Sequence, residues 1–219
     1  RVYLDFVLEL RKLCHRHGRR MNMWADIVLA HPEVLPDLPR DIVLLNWDYT
    51  TAARRMTRTH ELTELGFSVV CCPGTNSWVS HGSRLGMAIA NVSRFATIAR
   101  EQGAEGLLNT DWGNVGHRHF LGTSLSSMAH GAAHAWCTGQ VDDGAHVARF
   151  CDLVFGDPDG KLAEAVSRLG EYPLGLNQPY LAMLESLVEP RSLARGRLLD
   201  GFRVENLMSI DRMTASAQD

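Results

Sequence analysis

The sequence predicts an α/β fold: half of a (β/α)8 TIM barrel, about four βα units, followed by a helical extension. Three observations predict it. Helix-like and strand-like apolar patterns alternate over residues 1–140, as in a parallel sheet whose strands are joined by helices. Four strand-like segments each deliver a tryptophan at or just beyond the C-terminal end: Trp24, Trp47, Trp78 and Trp112. These lie 23, 31 and 34 residues apart, near the roughly 31 residues that each unit of such a barrel uses. A Rossmann-type sheet has units of similar length, but no Gly-x-Gly-x-x-Gly follows any strand here.

Taken in order, Tyr3, Phe6, Val7, Leu10 and Cys14 recur at helical spacing, and Gly18 is a stop signal. Arg20 to Trp24 reads as a strand. The stretch from His31 to Pro39 holds three prolines and predicts a loop with room for one helical turn. Asp41 to Trp47 contains the continuous run Ile-Val-Leu-Leu, expected of a strand buried on both faces. Thr51 to Leu65 predicts a helix ending at Gly66, and Phe67 to Cys72 a third strand. Leu85, Ala88, Ile89, Val92, Phe95, Ala96 and Ala99 form a helical apolar stripe closed by Gly103. Gly106 to Asn109 is the fourth strand. Leu125, Met128, Ala129, Ala132, Ala133 and Trp136 mark a further amphipathic helix. Beyond residue 140, turn clusters such as Gly156-Asp157-Pro158-Asp159-Gly160 separate short helical stretches. Residues 1–140 are therefore assigned to the half-barrel and 141–219 to the extension. A half-barrel expressed alone would carry two unpaired sheet edges and is expected to aggregate or stay molten.

Composition bounds the function. A hydrophobic content of 45% with 21% charged residues is that of an ordinary globular domain. A net charge of -3 gives no electrostatic case for nucleic acid or an anionic membrane. No apolar run approaches the ~18 residues of a membrane span. The chain opens at Arg1 within an apparent helix, which predicts a segment of a longer protein. Five cysteines, two of them adjacent, do not form a disulfide framework. Neighbours on a strand face opposite ways, so Cys71 and Cys72 read as buried thiols, which favours a reducing compartment such as the cytoplasm. No pattern for a cofactor or a metal emerges, and the oligomeric state is not legible.

The tryptophans carry the chemistry. A sugar ring offers axial C–H groups on one face and hydroxyls at its rim; an indole binds the first, and Asp, Asn or Tyr the second. Trp24 with Asp26, Trp47 with Tyr49, Trp78, and Trp112 with Asp111 and Asn114 supply that mixture at successive strand ends. They form the predicted substrate-binding set.

These residues resemble family 20 of the glycoside hydrolases, the β-N-acetylhexosaminidases. The likeness spans roughly residues 1–138, corresponds to the second half of that family's (β/α)8 TIM barrel, and follows four ordered motifs. They are Gly18-Arg19-Arg20-Met21-Asn22-Met23-Trp24-Ala25-Asp26, Leu45-Asn46-Trp47-Asp48-Tyr49, Cys72-Pro73-Gly74-Thr75-Asn76-Ser77-Trp78 and Asn109-Thr110-Asp111-Trp112-Gly113-Asn114-Val115-Gly116-His117. The resemblance implies that Trp24, Trp47 and Trp112 box the N-acetyl group of a terminal N-acetylhexosamine on a glycan or glycoconjugate. It also implies substrate-assisted hydrolysis, an exception to the two-carboxylate scheme, in which the acetamide oxygen attacks the anomeric carbon. The family's Asp-Glu pair would lie upstream, and no Asp-Glu dipeptide occurs in this sequence. The chain departs from the family at Asn114, where an acidic residue is usual, and in lacking a tyrosine in the Pro-Gly-Thr-Asn-Ser-Trp motif. Two alternatives stay open: a non-catalytic carbohydrate-binding barrel and a glycosidase of different sugar preference.

Other clusters carry less. His130 and His134 are spaced i, i+4, as metal ligands can be, but read as packing or surface histidines. His117-Arg118-His119 follows the Trp112 motif closely enough to reach a substrate. His15-Arg16-His17 suits the C-terminal end of a helix dipole.

Overall fold

In a computed structural model that describes residues 1–50, 58–78, 82–113, 120–137 and 141–170, the alternation becomes a mixed α/β fold around a four-stranded parallel sheet. The first apolar stripe folds as α1 (Val2–Arg16) and buries Leu4 and Val7. Gly18 follows at φ 62°, where its N–H reaches His15 O and the Arg19 N–H reaches Cys14 O. Glycine adopts this left-handed turn without a Cβ clash, which is why the helix stops where the sequence places the stop. Strand β1 (Asn22–Trp24) leads into a short helix α2 (Asp26–Ala30), which was not foreseen. A 3-10 segment, Pro32–Asp37, fills the proline-rich loop.

Strand β2 (Val43–Trp47), helix α3 (Arg58–Glu64) and strand β3 (Ser68–Cys72) come next. The front of the expected helix, residues 51–57, lies outside the described residues. Helix α4 (Leu85–Glu101) carries the long apolar stripe, and β4 (Gly106–Leu107) is shorter than expected. Its line is extended by a parallel bridge between Thr110 and Gly74. Helices α5 (Leu125–Trp136), α6 (His146–Phe155) and α7 (Lys161–Gly170) complete the described chain. The expected boundary at 140/141 adjoins residues outside the description, as does everything beyond 170. No helix among the described residues is long and apolar enough to cross a membrane.

The strands pair in the order β1-β2-β3-β4, with Trp24 beside Leu45 and Trp47 beside Cys72. The twofold alternation of a strand then divides the sheet into two faces. Leu44 and Val69 pack with Leu4 and Val7 of α1, Val28 of α2 and Leu62 of α3, while Cys71 packs with Phe95 and Ile98 of α4. The other face gathers Val43, Leu45 and Cys72 against Trp24, Trp47 and Val70. Helices α1 to α4 thus cover one face, and the adjacent cysteines fall on opposite faces as expected. Burial pushes the Cys71 thiol up to about 11 and that of Cys72 to about 12, so both stay protonated and serve packing.

Outer strands of a flat four-stranded sheet would stand about 14 Å apart. Here β1 and β4 are bridged at both ends. Arg20, ahead of β1, meets Glu105, ahead of β4, at 3.0 Å. The Trp24 and Trp112 rings, beyond the opposite ends, have centroids 5.9 Å apart.

A second ion pair fastens α1 to the start of β2. Arg11 Nε donates to both oxygens of Asp41 at 2.8 and 3.0 Å, and His15 Nε2 lies 2.7 Å from Oδ2. The hydrogen bond from Arg11 holds the Asp41 carboxyl below its ordinary value. A carboxyl depressed on folding stabilises the fold above the usual carboxylate range, and that contribution is lost as pH falls through the folded-state value. Asp41→Asn is expected to lower the melting temperature slightly at neutral pH, with the gap to wild type closing on acidification. A gap that stayed constant between neutral and acidic melts would contradict this role.

Candidate functional site

The aromatic residues converge at the strand ends on the face opposite α1 to α4. Trp24 closes β1 and Trp47 closes β2, both pointed there by the same alternation that points Val43 and Leu45. Asp26 opens α2 two residues after Trp24. Tyr49 lies two residues past β2, Trp78 beyond β3 and Trp112 beyond β4. Trp24, Asp26, Trp47, Tyr49, Trp78 and Trp112 line one cavity of about 260 Å³. That is small for a ligand pocket and suits a single sugar ring better than an extended chain.

Tyr49 is the hub. Its ring stacks on Trp47 with centroids 5.0 Å apart and planes at 22°, and meets Trp78 edge-on at 4.9 Å. Trp112 Nε1 donates to the Tyr49 hydroxyl at 2.8 Å and also approaches Thr110 Oγ1 at 3.2 Å. Trp112 remains 37% exposed, so its ring is both anchored and accessible. Beside these apolar faces stand the Asp26 carboxylate and the Tyr49 hydroxyl, the rim chemistry a sugar needs. Tyr3 on α1 lies close enough to Asp26 to be affected: partial burial, and then the Asp26 charge, push its phenol up.

The loops bearing Tyr49 and Trp78 are fixed from behind by a residue the apolar stripe concealed. Asn91 on α4 is fully buried. Its Oδ1 accepts from Gly74 N–H at 3.0 Å, and its Nδ2 donates to the carbonyls of Asp48 at 2.8 Å and Thr50 at 2.9 Å. One amide therefore ties the loop after β2 to the loop after β3. The legible signal was an Asn on the buried side of an amphipathic helix, between Ala88 and Phe95. Gly74 is equally constrained: a Cβ there would fall 2.6 Å from the Trp78 ring and 2.8 Å from Tyr49. The missing side chain lets both rings close over the loop.

The remaining predicted residues divide. Asp111 is not among the residues lining the cavity; its carboxylate accepts from the buried Thr75 hydroxyl at 2.6 Å, joining the loops after β3 and β4. Asp48 caps its own loop, accepting from Thr50 N–H at 2.9 Å and Thr50 Oγ1 at 2.8 Å, an Asx turn. Asn114 lies outside the described residues, together with His117, Arg118 and His119. His15 belongs to the Asp41 pair, away from the cavity. No protein-family model matches the chain, and no curated protein matches it. What the site can do follows from its own residues.

Proposed function

We propose that the protein is a glycosidase that removes terminal N-acetyl-β-hexosamine from glycans or glycoconjugates. In this reading the described sheet is one wall of a (β/α)8 barrel. A sequential, parallel strand order and helices α1 to α4 on one face support that, because a doubly wound sheet carries helices on both faces. The bridges between the outer strands on the face opposite α1 to α4 support it too.

The observation that carries the function is the cavity itself, four indoles and a phenol closing on a space for one ring, with Asp26 at its edge. Such a box excludes water and holds a flat acetamide in a fixed pose, which is what attack by the substrate's own carbonyl oxygen requires. Tyr49 takes the place left by the tyrosine missing from the Pro-Gly-Thr-Asn-Ser-Trp motif: it reaches the centre of the box from the loop after β2. Its hydroxyl can donate to an acetamide oxygen while accepting from Trp112. The general acid comes from outside the described residues.

The test compares hydrolysis by the full-length protein of an aryl N-acetyl-β-glucosaminide and the matching β-glucoside. Strong preference for the acetylated sugar is expected. Equal turnover of both, or turnover of the glucoside alone, would reject the acetamide box in favour of another sugar preference. Among the described residues the cavity holds one carboxylate, Asp26, and this favours a second reading as a non-catalytic sugar-binding barrel. Saturable quenching of tryptophan fluorescence by N-acetylglucosamine, with neither substrate turned over, would establish that reading instead.

A further inference from the structure

A second constellation, sharing no residue with the aromatic cavity, forms where α4, α5 and the loop before α6 meet. His130 is 0% exposed and His134 7%, so neither is the surface histidine the sequence allowed. Both rings turn Nε2 to one atom: Asp143 Oδ1 lies 2.8 Å from His130 Nε2 and 2.9 Å from His134 Nε2. The three donor atoms all lie within 4.8 Å of one another. Asp143 Oδ2 takes a hydrogen bond from Ser93 of α4. The His146 ring, 4.7 Å from His130, walls the cluster and is held by its Nε2 at 2.8 Å from Ser126 O.

The arrangement is not a nucleophilic triad. A triad places the hydroxyl on one imidazole nitrogen and the carboxylate on the other, whereas Ser93 and Asp143 both meet His134 at Nε2. Each ring has its Nδ1 buried without a partner among the described residues, so that the proton can sit there when Nε2 serves as a ligand. Every polar engagement of the two buried imidazoles converges on a single point.

We propose that His130, His134 and Asp143 bind a divalent transition-metal ion of the zinc class. Two imidazoles one helical turn apart plus a carboxylate form a mixed nitrogen–oxygen donor set that suits zinc. Calcium and magnesium prefer oxygen alone. Tetrahedral zinc with bonds near 2.0–2.1 Å sets its donors about 3.3 Å apart; each imidazole–carboxylate pair would open by roughly half an ångström to reach that spacing, and the two Nε2 atoms already lie within 4.8 Å of each other. Each neutral imidazole moves its proton from Nε2 to Nδ1 and gives the freed lone pair to the ion, with no net proton change. Asp143 is 39% exposed, which leaves an ion a way in and room for a water as the fourth ligand. Because Asp143 precedes α6 while the histidines sit on α5, the ion would fasten the helical extension to the sheet-bearing unit.

The test uses full-length protein stripped by a chelator and titrated with Co2+, followed by Zn2+ in competition with a chromogenic chelator. One equivalent of Co2+ is expected to produce the intense visible d–d bands of a four-coordinate site, and one equivalent of Zn2+ to abolish them. Asp143→Asn and His134→Gln should each weaken Zn2+ at least about tenfold with an unchanged far-UV circular dichroism spectrum. His60→Gln, at an exposed histidine on α3, should change nothing. Absence of d–d bands in the wild-type protein, or wild-type Zn2+ affinity in both cluster variants, would overturn the proposal and leave a hydrogen-bonded clasp.

Discussion

Trp47→Ala in the full-length protein is expected to lower kcat/KM for an aryl N-acetyl-β-glucosaminide by about 10²-fold. The indole lines the cavity and stacks on Tyr49 at 5.0 Å, so its removal costs contact with substrate and frees the hub that Trp78 and Trp112 lean on. A loss of about 3 kcal/mol for that ring corresponds to about 10²-fold at 1.36 kcal/mol per decade. If the box holds the acetamide near attack, most of the loss falls on kcat, because a loosened acetamide still binds but reacts less often. Steady-state kinetics on both parameters check this. Unchanged kcat/KM would sink the aromatic box, and a pure rise in KM would reduce it to a binding surface.

The second large effect is expected far from any substrate. Asn91→Leu keeps the volume of the side chain but strips hydrogen bonds from Gly74 N–H and the carbonyls of Asp48 and Thr50. Leaving buried backbone groups unpaired costs about 1–3 kcal/mol each. Partial rescue by water brings the sum to about 3 kcal/mol, roughly 6–12 °C in melting temperature for a unit of this size. Turnover by the surviving folded protein should fall as well, since Tyr49 and Trp78 ride on the two released loops. A melting temperature and kcat/KM both within error of wild type would show that the clamp has no role.

Much of this was legible in the sequence because it rests on local physics. Period-2 and period-3.6 patterning located four strands and the major helices, and Gly18 and Gly66 marked helix ends by needing positive φ. Trp24, Asp26, Trp47, Tyr49, Trp78 and Trp112 do share one cavity, as expected of groups emerging from successive parallel strands. What was not legible depends on contacts between distant segments. Asp111 carries the motif's acid, yet it faces Thr75, 36 residues away. The clamp at Asn91 spans 43 residues to Asp48. His130 and His134 read as ordinary packing because their partner, Asp143, lies beyond the end of the helix that carries them, in the segment before α6.

The Asn91 clamp has a consequence for how such a protein can change over generations. Tyr49 and Trp78, two rings of the proposed sugar site, are carried on loops whose backbone is fixed by a side chain outside the cavity. Rim residues can therefore be exchanged one at a time, each trial altering ligand choice without endangering the fold. Asn91 has no such freedom, since any replacement must serve a donor and two acceptors in a volume already filled. The position least able to drift would be one that never meets the substrate.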